Sequence, residues 1–130
     1  MQHGFIKVAA AIPPIKVADC EYNIVAQAEG KGVEIIVFPE LSVTGYTCQD
    51  LFRQTLLLEK AETAILMLLD FTRNLDIITI VGVPVAVGGA LLNCAAIIQK
   101  GDLLGIIPKT YMPNYGEFYE KRWFASSIDL

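Results

Sequence analysis

Two charged residues, each directly after a proline at the end of an apolar run, could take part in acid–base chemistry. Glu40 lies in VFPELSVTGY (37–46) and Lys109 lies in GIIPKTYMPNY (105–115). A carboxylate held against an apolar wall can act as a general base, and a lysine ammonium can stabilise a developing oxyanion. Each also has a structural interpretation, because Glu40 could cap the following loop and Lys109 could be a solvated lysine at a strand end.

The pattern of apolar runs and turns predicts the elements that must position these two side chains. A first helix is capped by Asp19 and closed by Gly30 and Gly32, and a second helical pattern covers 51–75. Five strands are predicted, at 5–12, 33–38, 77–83, 91–99 and 103–107, with the last two joined by a hairpin turn at KGD. The second strand is aliphatic almost throughout, as is typical of a parallel sheet covered on both faces.

The resulting order, βαβαβββ, indicates an α/β layered fold in which helices cover a face of the sheet. Ligands of such sheets gather beyond the carboxyl ends of the strands. Glu40 follows the second strand and Lys109 follows the fifth, so we expect both at this edge.

The segment 77–98 has no charged residue and is long enough to span a bilayer. Several turn-forming or polar residues interrupt it, namely Gly82, Pro84, Gly88, Gly89 and Asn93. Its β-branched residues also favour strands over a helix. We therefore interpret it as two buried strands joined by a glycine-rich turn.

The composition argues against several classes of function. Apolar residues make up 54% of the 130 residues and charged residues 18%, with a net charge of −4 and no large basic cluster, so nucleic-acid binding is not indicated. Three cysteines without a CxxC pair, together with the single histidine His3, support neither a disulfide framework nor a zinc site. The start of the chain does not resemble a secretory signal, which makes a reducing, cytoplasmic location the expectation.

Two pairs of segments carry a family resemblance. FPELSVTGY followed by NCAAIIQKGDLLGIIPKTYMPNY resembles the carbon–nitrogen hydrolase, or nitrilase, superfamily. TGYTCQDLF and KTYMPNYGEFYEKRWF are similar to the glutaminase domain of glutamine-dependent NAD⁺ synthetases. The resemblance covers nearly the whole chain and implies the N-terminal part of an α-β-β-α sandwich.

The resemblance also implies roles for particular residues. Glu40 would be the general base, and Lys109 would stabilise the oxyanion. Tyr46 and Tyr115 would line a glutamine pocket, and Glu120 would hold the substrate or orient the lysine, with Glu117 as the less favoured candidate. For the tyrosines a structural role is an equal alternative, because tyrosine is commonly half-buried with its hydroxyl in water. Residues 117–122 could also be the solvated face of a short helix.

The third member expected from the resemblance is a nucleophilic cysteine C-terminal to the lysine, and no cysteine follows Lys109. Of the three that precede it, Cys94 is predicted to be a buried strand residue, Cys20 lies in a helix first turn without a base, and Cys48 lies in a loop. None is a convincing nucleophile. We therefore expect residues 1–130 to be an incomplete glutaminase domain, inactive alone, with the rest of the domain and an ATP-dependent synthetase domain outside this chain.

By the same resemblance, the full protein would hydrolyse glutamine and use the ammonia, with ATP and Mg²⁺, to amidate nicotinic acid adenine dinucleotide, and it would form homo-oligomers. No cofactor is expected in the present residues, and neither a nucleic-acid nor a membrane partner is expected. Two alternatives remain. One is a stand-alone amidase, nitrilase or carbamoylase with the same Glu and Lys, and the other is a catalytically dead binding module.

Overall fold

Five strands form one mixed sheet in a computed structural model that describes residues 4–27 and 32–130. The strands are β1 (Val8–Ala10), β2 (Ile35–Val37), β3 (Ile78–Val87), β4 (Ala90–Gln99) and β5 (Asp102–Pro108). They lie side by side in chain order. β1, β2 and β3 are parallel, whereas β4 is antiparallel to both β3 and β5. The strands β2, β3 and β5 therefore run in one direction and end at the same edge.

Two α-helices, α1 (Cys20–Gln27) and α2 (Thr55–Thr72), pack against each other, and α2 packs on β3 and β4. The predicted order βαβαβββ is confirmed. The predicted end of the first helix at Gly30 lies outside the described residues. The helical pattern at 51–75 divides into a 3₁₀ segment (Tyr46–Arg53) and α2, because Gln54 between them has an extended backbone. Short 3₁₀ helices also form at Glu120–Arg122 and Ser127–Asp129.

The core lies between the sheet and α2. Alternate residues of β3 and β4 face the helix and form paired rows: Val81 opposite Ala96, and Val83 opposite Cys94. Leu57, Ala61, Ala64 and Leu68 recur along the inner side of α2 and are buried against these rows. The remaining residues of the strands, Asn93 among them, face the opposite side of the sheet.

The uncharged segment 77–98 forms β3, β4 and the turn between them, as the interruptions in its pattern predict. Gly88 and Gly89 make the turn with φ of +54° and +82°, a region that favours glycine. Within the described ranges, no helix is long and apolar enough to cross a membrane.

The β4–β5 hairpin contains a β-bulge. The turn is made by Lys100 and Gly101, both with positive φ. Ile98 pairs with Leu103, but the next residue, Ile97, pairs with Gly105, so Leu104 is an extra residue in β5. Beyond the bulge, pairing continues to Cys94 opposite Pro108.

Much apolar surface is uncovered in the part of the chain that the structure describes. β1 and β2 are shorter than predicted, and β2 is buried on one face only: Ile36 is buried, whereas Val37 is exposed. We predicted that both faces of β2 would be covered, and the structure shows cover only on the face that carries the helices. The edge strand β5 exposes four large aliphatic side chains, Leu103, Leu104, Ile106 and Ile107.

Candidate active site

Glu40 lies on a short excursion of the chain at the carboxyl end of β2. The Phe38 amide donates to the carbonyl of Ile80 at 2.9 Å, and the Val43 amide donates to the carbonyl of Gly82 at 3.0 Å. Pairing with β3 thus resumes after residues 39–42, which bulge away from the ladder. The bulge carries Glu40 out of the strand, where its side chain can meet residues from β4 and β5.

Gly82 makes room for this excursion. A Cβ atom built on Gly82 would lie 2.2 Å from the backbone N of Leu41 and 2.8 Å from the backbone of Pro39 and Glu40. Leu41 itself has a φ of +52°, which is unfavourable for a side chain of its size. Such strain is typical of functional positions, where the surrounding structure holds an unusual backbone.

Replacing Gly82 by alanine is therefore expected to lower the free energy of unfolding by about 1–3 kcal/mol, the usual cost of forcing an extra methyl into a packed site. Gly105→Ala is the matched control, because a Cβ atom on Gly105 meets nothing within 4 Å. Denaturant unfolding of the two variants checks the difference. Equal stability for Gly82→Ala and Gly105→Ala would show that the Glu40 backbone does not depend on the missing side chain.

Lys109 lies between two carboxylates. Its Nζ atom is 2.6 Å from Oε1 of Glu40 and 2.9 Å from Oε1 of Glu120. The Lys109 side chain is 29% exposed, that of Glu40 is 40% exposed and that of Glu120 is 3% exposed. The structure thus brings together three of the five candidate residues, with the solvent-accessible carboxylate on one side of the ammonium and the buried one on the other.

Tyr46 joins the same group through Glu120. Its hydroxyl donates to Oε2 of Glu120 at 2.9 Å, and its ring packs edge-on against Phe118. The other candidate tyrosine, Tyr115, is 73% exposed and has no hydrogen bond to the group; its ring contacts Phe118. Glu117, the less favoured alternative to Glu120, is exposed and lines a cleft of about 790 Å³ beside Tyr46.

Asn93 is a site residue that the sequence reasoning missed. Its side-chain amide donates to Oε1 of Glu40 and lies 3.4 Å from Oε1 of Glu120, and its backbone carbonyl accepts the Lys109 amide at 2.7 Å. The available signal is a polar residue inside the uncharged segment 77–98, where it also interrupts the pattern of a membrane span.

The loop that carries Tyr46 is tied to the segment that carries Glu120. Asp50 accepts from the Arg122 guanidinium at 3.0 Å and from the Trp123 indole at 3.1 Å, and Arg53 donates to the carbonyl of Arg122. Beneath these polar contacts, the buried ring of Phe52 packs on Trp123 and Phe124. The aromatic contacts supply most of the attachment, since exposed ion pairs contribute little.

The electrostatics follow from the two carboxylates. Partial burial disfavours the charged lysine, but hydrogen bonds and attraction from Glu40 and Glu120 outweigh it, so the pKa of Lys109 is raised. The ammonium is therefore fully charged at neutral pH. Burial raises the pKa of the Tyr46 hydroxyl, and its bond to Glu120 raises it further, so this group remains a proton donor.

All three cysteines are buried. Burial raises the pKa of Cys20 and of Cys94 to about 11, which disfavours the thiolate. Cys48 donates to the carbonyl of Thr44 at 3.3 Å, and burial raises its pKa as well. Their burial agrees with the expectation that none of them is the nucleophile.

No group of three or more histidine, cysteine, aspartate or glutamate side chains within residues 4–27 and 32–130 could hold a metal ion. In the Glu40–Lys109–Glu120 group, one ammonium contacts both carboxylates. With two carboxylates and one ammonium, it can accept a proton and stabilise a developing negative charge. These are the functions needed when a thiol or water attacks a carbonyl or nitrile carbon.

Known proteins resemble this chain in sequence and in fold. A glutamine-dependent NAD(+) synthetase of Mycobacterium leprae is 36% identical over 132 residues, which cover 97% of this chain and 19% of the relative. The crystal structure of a glutamine-dependent NAD(+) synthetase from Cytophaga hutchinsonii superposes with a TM-score of 0.79 at 32% identity, covering 93% of this chain and 22% of that one.

An amidase from Nesterenkonia sp. shares the fold, with a TM-score of 0.78 at 21% identity over 98% of this chain and 50% of its own. The chain thus spans about a fifth of the length of the M. leprae synthetase and half of the amidase. The sequence pattern of the carbon-nitrogen hydrolase family matches residues 9–127, and the chain therefore belongs to this family.

Proposed function

We propose that this chain supplies the base and the oxyanion-stabilising lysine of a glutaminase site, in the N-terminal part of a glutamine-dependent NAD⁺ synthetase. The observation that carries the proposal is the position of Lys109 Nζ between Glu40 and Glu120, 2.6 Å and 2.9 Å away. Two observations support the choice of glutamine as substrate. The segments TGYTCQDLF and KTYMPNYGEFYEKRWF are similar to those of the synthetases. The M. leprae synthetase also aligns with 97% of this chain.

In the proposed reaction, the nucleophile is a cysteine outside these 130 residues. Glu40 takes the thiol proton as the sulfur attacks the side-chain amide carbon of glutamine, and Lys109 stabilises the negative charge on the carbonyl oxygen. Glu40 then returns the proton to the leaving nitrogen, the C–N bond breaks, and ammonia and a thioester result. Water attacks the thioester with Glu40 again accepting a proton, and glutamate and the thiol are released.

Glu120 and Tyr46 have supporting roles in this proposal. The buried carboxylate of Glu120 holds the lysine ammonium at the site, and the Tyr46 hydroxyl holds Glu120 in turn. We also propose that Tyr46 and Tyr115 contact the substrate, in which case Tyr115 has to move from its exposed position or meet substrate at the surface.

For the whole protein we propose that the ammonia is used with ATP and Mg²⁺ to amidate nicotinic acid adenine dinucleotide, in a domain beyond the present residues. We further propose a homo-oligomer and a cytoplasmic location, the latter consistent with three free cysteines in the described part of the chain. The proposal of further domains is supported by the length of the M. leprae synthetase, because this chain aligns with only 19% of it.

The test is ammonia release from glutamine by the native polypeptide and by residues 1–130 alone. We expect a native mass several times 14.2 kDa, release of ammonia by the native polypeptide and none by the 130-residue chain. Turnover of simple amides or nitriles but not glutamine would instead favour a stand-alone amidase or nitrilase. Glutamine binding without turnover by a native 14.2 kDa chain would favour a binding module.

A further inference from the structure

Asn93 contacts all three charged members of the site. It is 3% exposed and lies in β4, on the side of the sheet opposite α2. Its side-chain nitrogen faces Oε1 of Glu40 and Oε1 of Glu120, and its main-chain oxygen accepts the amide of Lys109. One residue of a central strand therefore fixes the positions of two carboxylates and the backbone of the lysine.

The chemistry of this position requires a neutral donor. An asparagine amide offers two N–H donors on nitrogen, whereas its oxygen only accepts. With carboxylates as neighbours, the nitrogen must face them, because an oxygen there would be repelled. An aspartate of the same size would add a third carboxylate within hydrogen-bond distance of Glu40, which is strongly unfavourable when all three are ionised.

The contacts also distinguish the two carboxylates. Glu120 has both oxygens occupied, Oε1 by Lys109 and Oε2 by Tyr46, and it is buried. Glu40 has Oε1 occupied twice, by Lys109 and by Asn93. Its Oε2 makes no hydrogen bond with any residue in the described ranges, and its side chain is 40% exposed. Glu40 alone therefore has an oxygen that is free to receive a proton.

We propose that Asn93 is a positioning residue that, with Lys109, locks Oε1 of Glu40 and so assigns Oε2 as the proton-accepting oxygen of the base. The proposal rests on the proposed function, since it specifies which atom of Glu40 takes the proton from the nucleophile. Without the Asn93 amide, Lys109 alone holds Glu40, and the carboxylate can rotate so that the two oxygens exchange places. Misplacement of a reacting group by about 1 Å can cost roughly 10²-fold in rate.

The first test uses the native polypeptide with Asn93→Ala, and with Asn74→Ala as the matched control because Asn74 is exposed beyond the end of α2. We expect kcat for glutamine hydrolysis to fall about 100-fold for Asn93→Ala, with little change in KM because the Asn93 side chain is buried and its nitrogen faces the two carboxylates. For Asn93→Asp we expect a larger loss of kcat at neutral pH. We expect kcat to recover in part as pH falls, since protonation removes the added charge. An unchanged kcat, or a rise in KM alone, would overturn the proposal.

The second test does not depend on activity. The pH dependence of Lys109 acylation by acetic anhydride, read by peptide mass, reports how strongly the carboxylates hold the ammonium. We expect the pH midpoint of Lys109 acylation to be lower in Asn93→Ala than in wild type, because a loosened Glu40 stabilises the charged lysine less. In Asn74→Ala we expect this midpoint to keep the wild-type value. If Asn93→Ala fails to fold, Asn93→Ser is measured instead. Because serine keeps a hydroxyl donor, we expect a smaller shift of the acylation midpoint to lower pH than alanine would give.

The two tests separate the possible failures. A native polypeptide that never hydrolyses glutamine would refute the proposed function. The pH midpoint of Lys109 acylation in the Asn93 variants would still show whether Asn93 keeps Glu40 in contact with Lys109. A wild-type midpoint in a folded Asn93 variant would refute the positioning role, whatever the substrate of the enzyme.

Discussion

Replacing Glu40 by glutamine in the native polypeptide is expected to lower kcat for glutamine hydrolysis by about 10²- to 10⁴-fold, the usual contribution of a general base. The substituted side chain keeps an oxygen that can accept from Lys109 and Asn93, so the surrounding contacts can persist while the proton acceptor is lost. KM is expected to change little. Ammonia release at a series of glutamine concentrations gives both constants.

The control for this variant is Glu62→Gln on α2, an equivalent change at an exposed position away from the site. It is expected to match the wild type. Near-normal turnover by Glu40→Gln would mean that another group accepts the proton, and it would overturn the role proposed for Glu40.

The Lys109→Met variant is expected to lose about 10²- to 10³-fold in kcat, comparable with removal of an oxyanion donor. It is also expected to lose stability, because the Glu120 side chain, which is 3% exposed, would remain buried without a cation. Removing one partner of a fully buried ion pair costs about 3–5 kcal/mol, and since the lysine side chain is 29% exposed we expect a smaller loss, about 2 kcal/mol.

The stability loss should depend on pH with a definite sign. The raised pKa of Lys109 stabilises the folded wild type below the pKa of an unfolded lysine, and this contribution is lost as pH rises through the folded pKa, so the difference between the Lys109→Met variant and wild type should be full near neutral pH and shrink at alkaline pH. The double variant Lys109→Met with Glu120→Gln should recover part of the loss, because it removes the unpaired charge. Denaturant midpoints at several pH values, with Lys60→Met as the exposed control, measure these effects. A loss that is independent of pH and of Glu120 would show that packing, not charge, holds the lysine.

Much of the fold could be predicted because its signals are local. Prolines and glycines mark the ends of apolar runs, and the order of those runs gave βαβαβββ. From this order alone Glu40 and Lys109 were expected at one edge of the sheet, and the structure places their side chains in contact at 2.6 Å. The parallel direction of β2 and β5 is the physical reason, because it brings their carboxyl ends to the same side.

What could not be predicted depends on tertiary contacts. The division of the second helical pattern at Gln54 follows from the docking of Phe52 against Trp123 and Phe124, which are about 70 residues further along the chain. The position of Tyr115 depends on how residues 113–119 cross the surface, where the structure leaves its side chain exposed. Its place in a glutamine pocket stays a prediction. Asn93 could be recognised only when the pairing of β4 with its neighbours was known.

The bulge in the β4–β5 hairpin compensates for one extra residue in β5. Before the bulge Ile98 faces Leu103, and after it Ile97 faces Gly105, so the bulge absorbs Leu104 and brings Lys109 opposite Asn93. If the same residues paired without a bulge, Pro108 would face Asn93, and Lys109 would point to the side of the sheet that carries α2. If Leu104 were deleted together with the bulge, Gly105 would still face Ile97 and Lys109 would still lie opposite Asn93. Along a line of descent, this hairpin can therefore lose the extra residue and the bulge together and keep the site, whereas loss of the bulge alone would separate the lysine from both carboxylates.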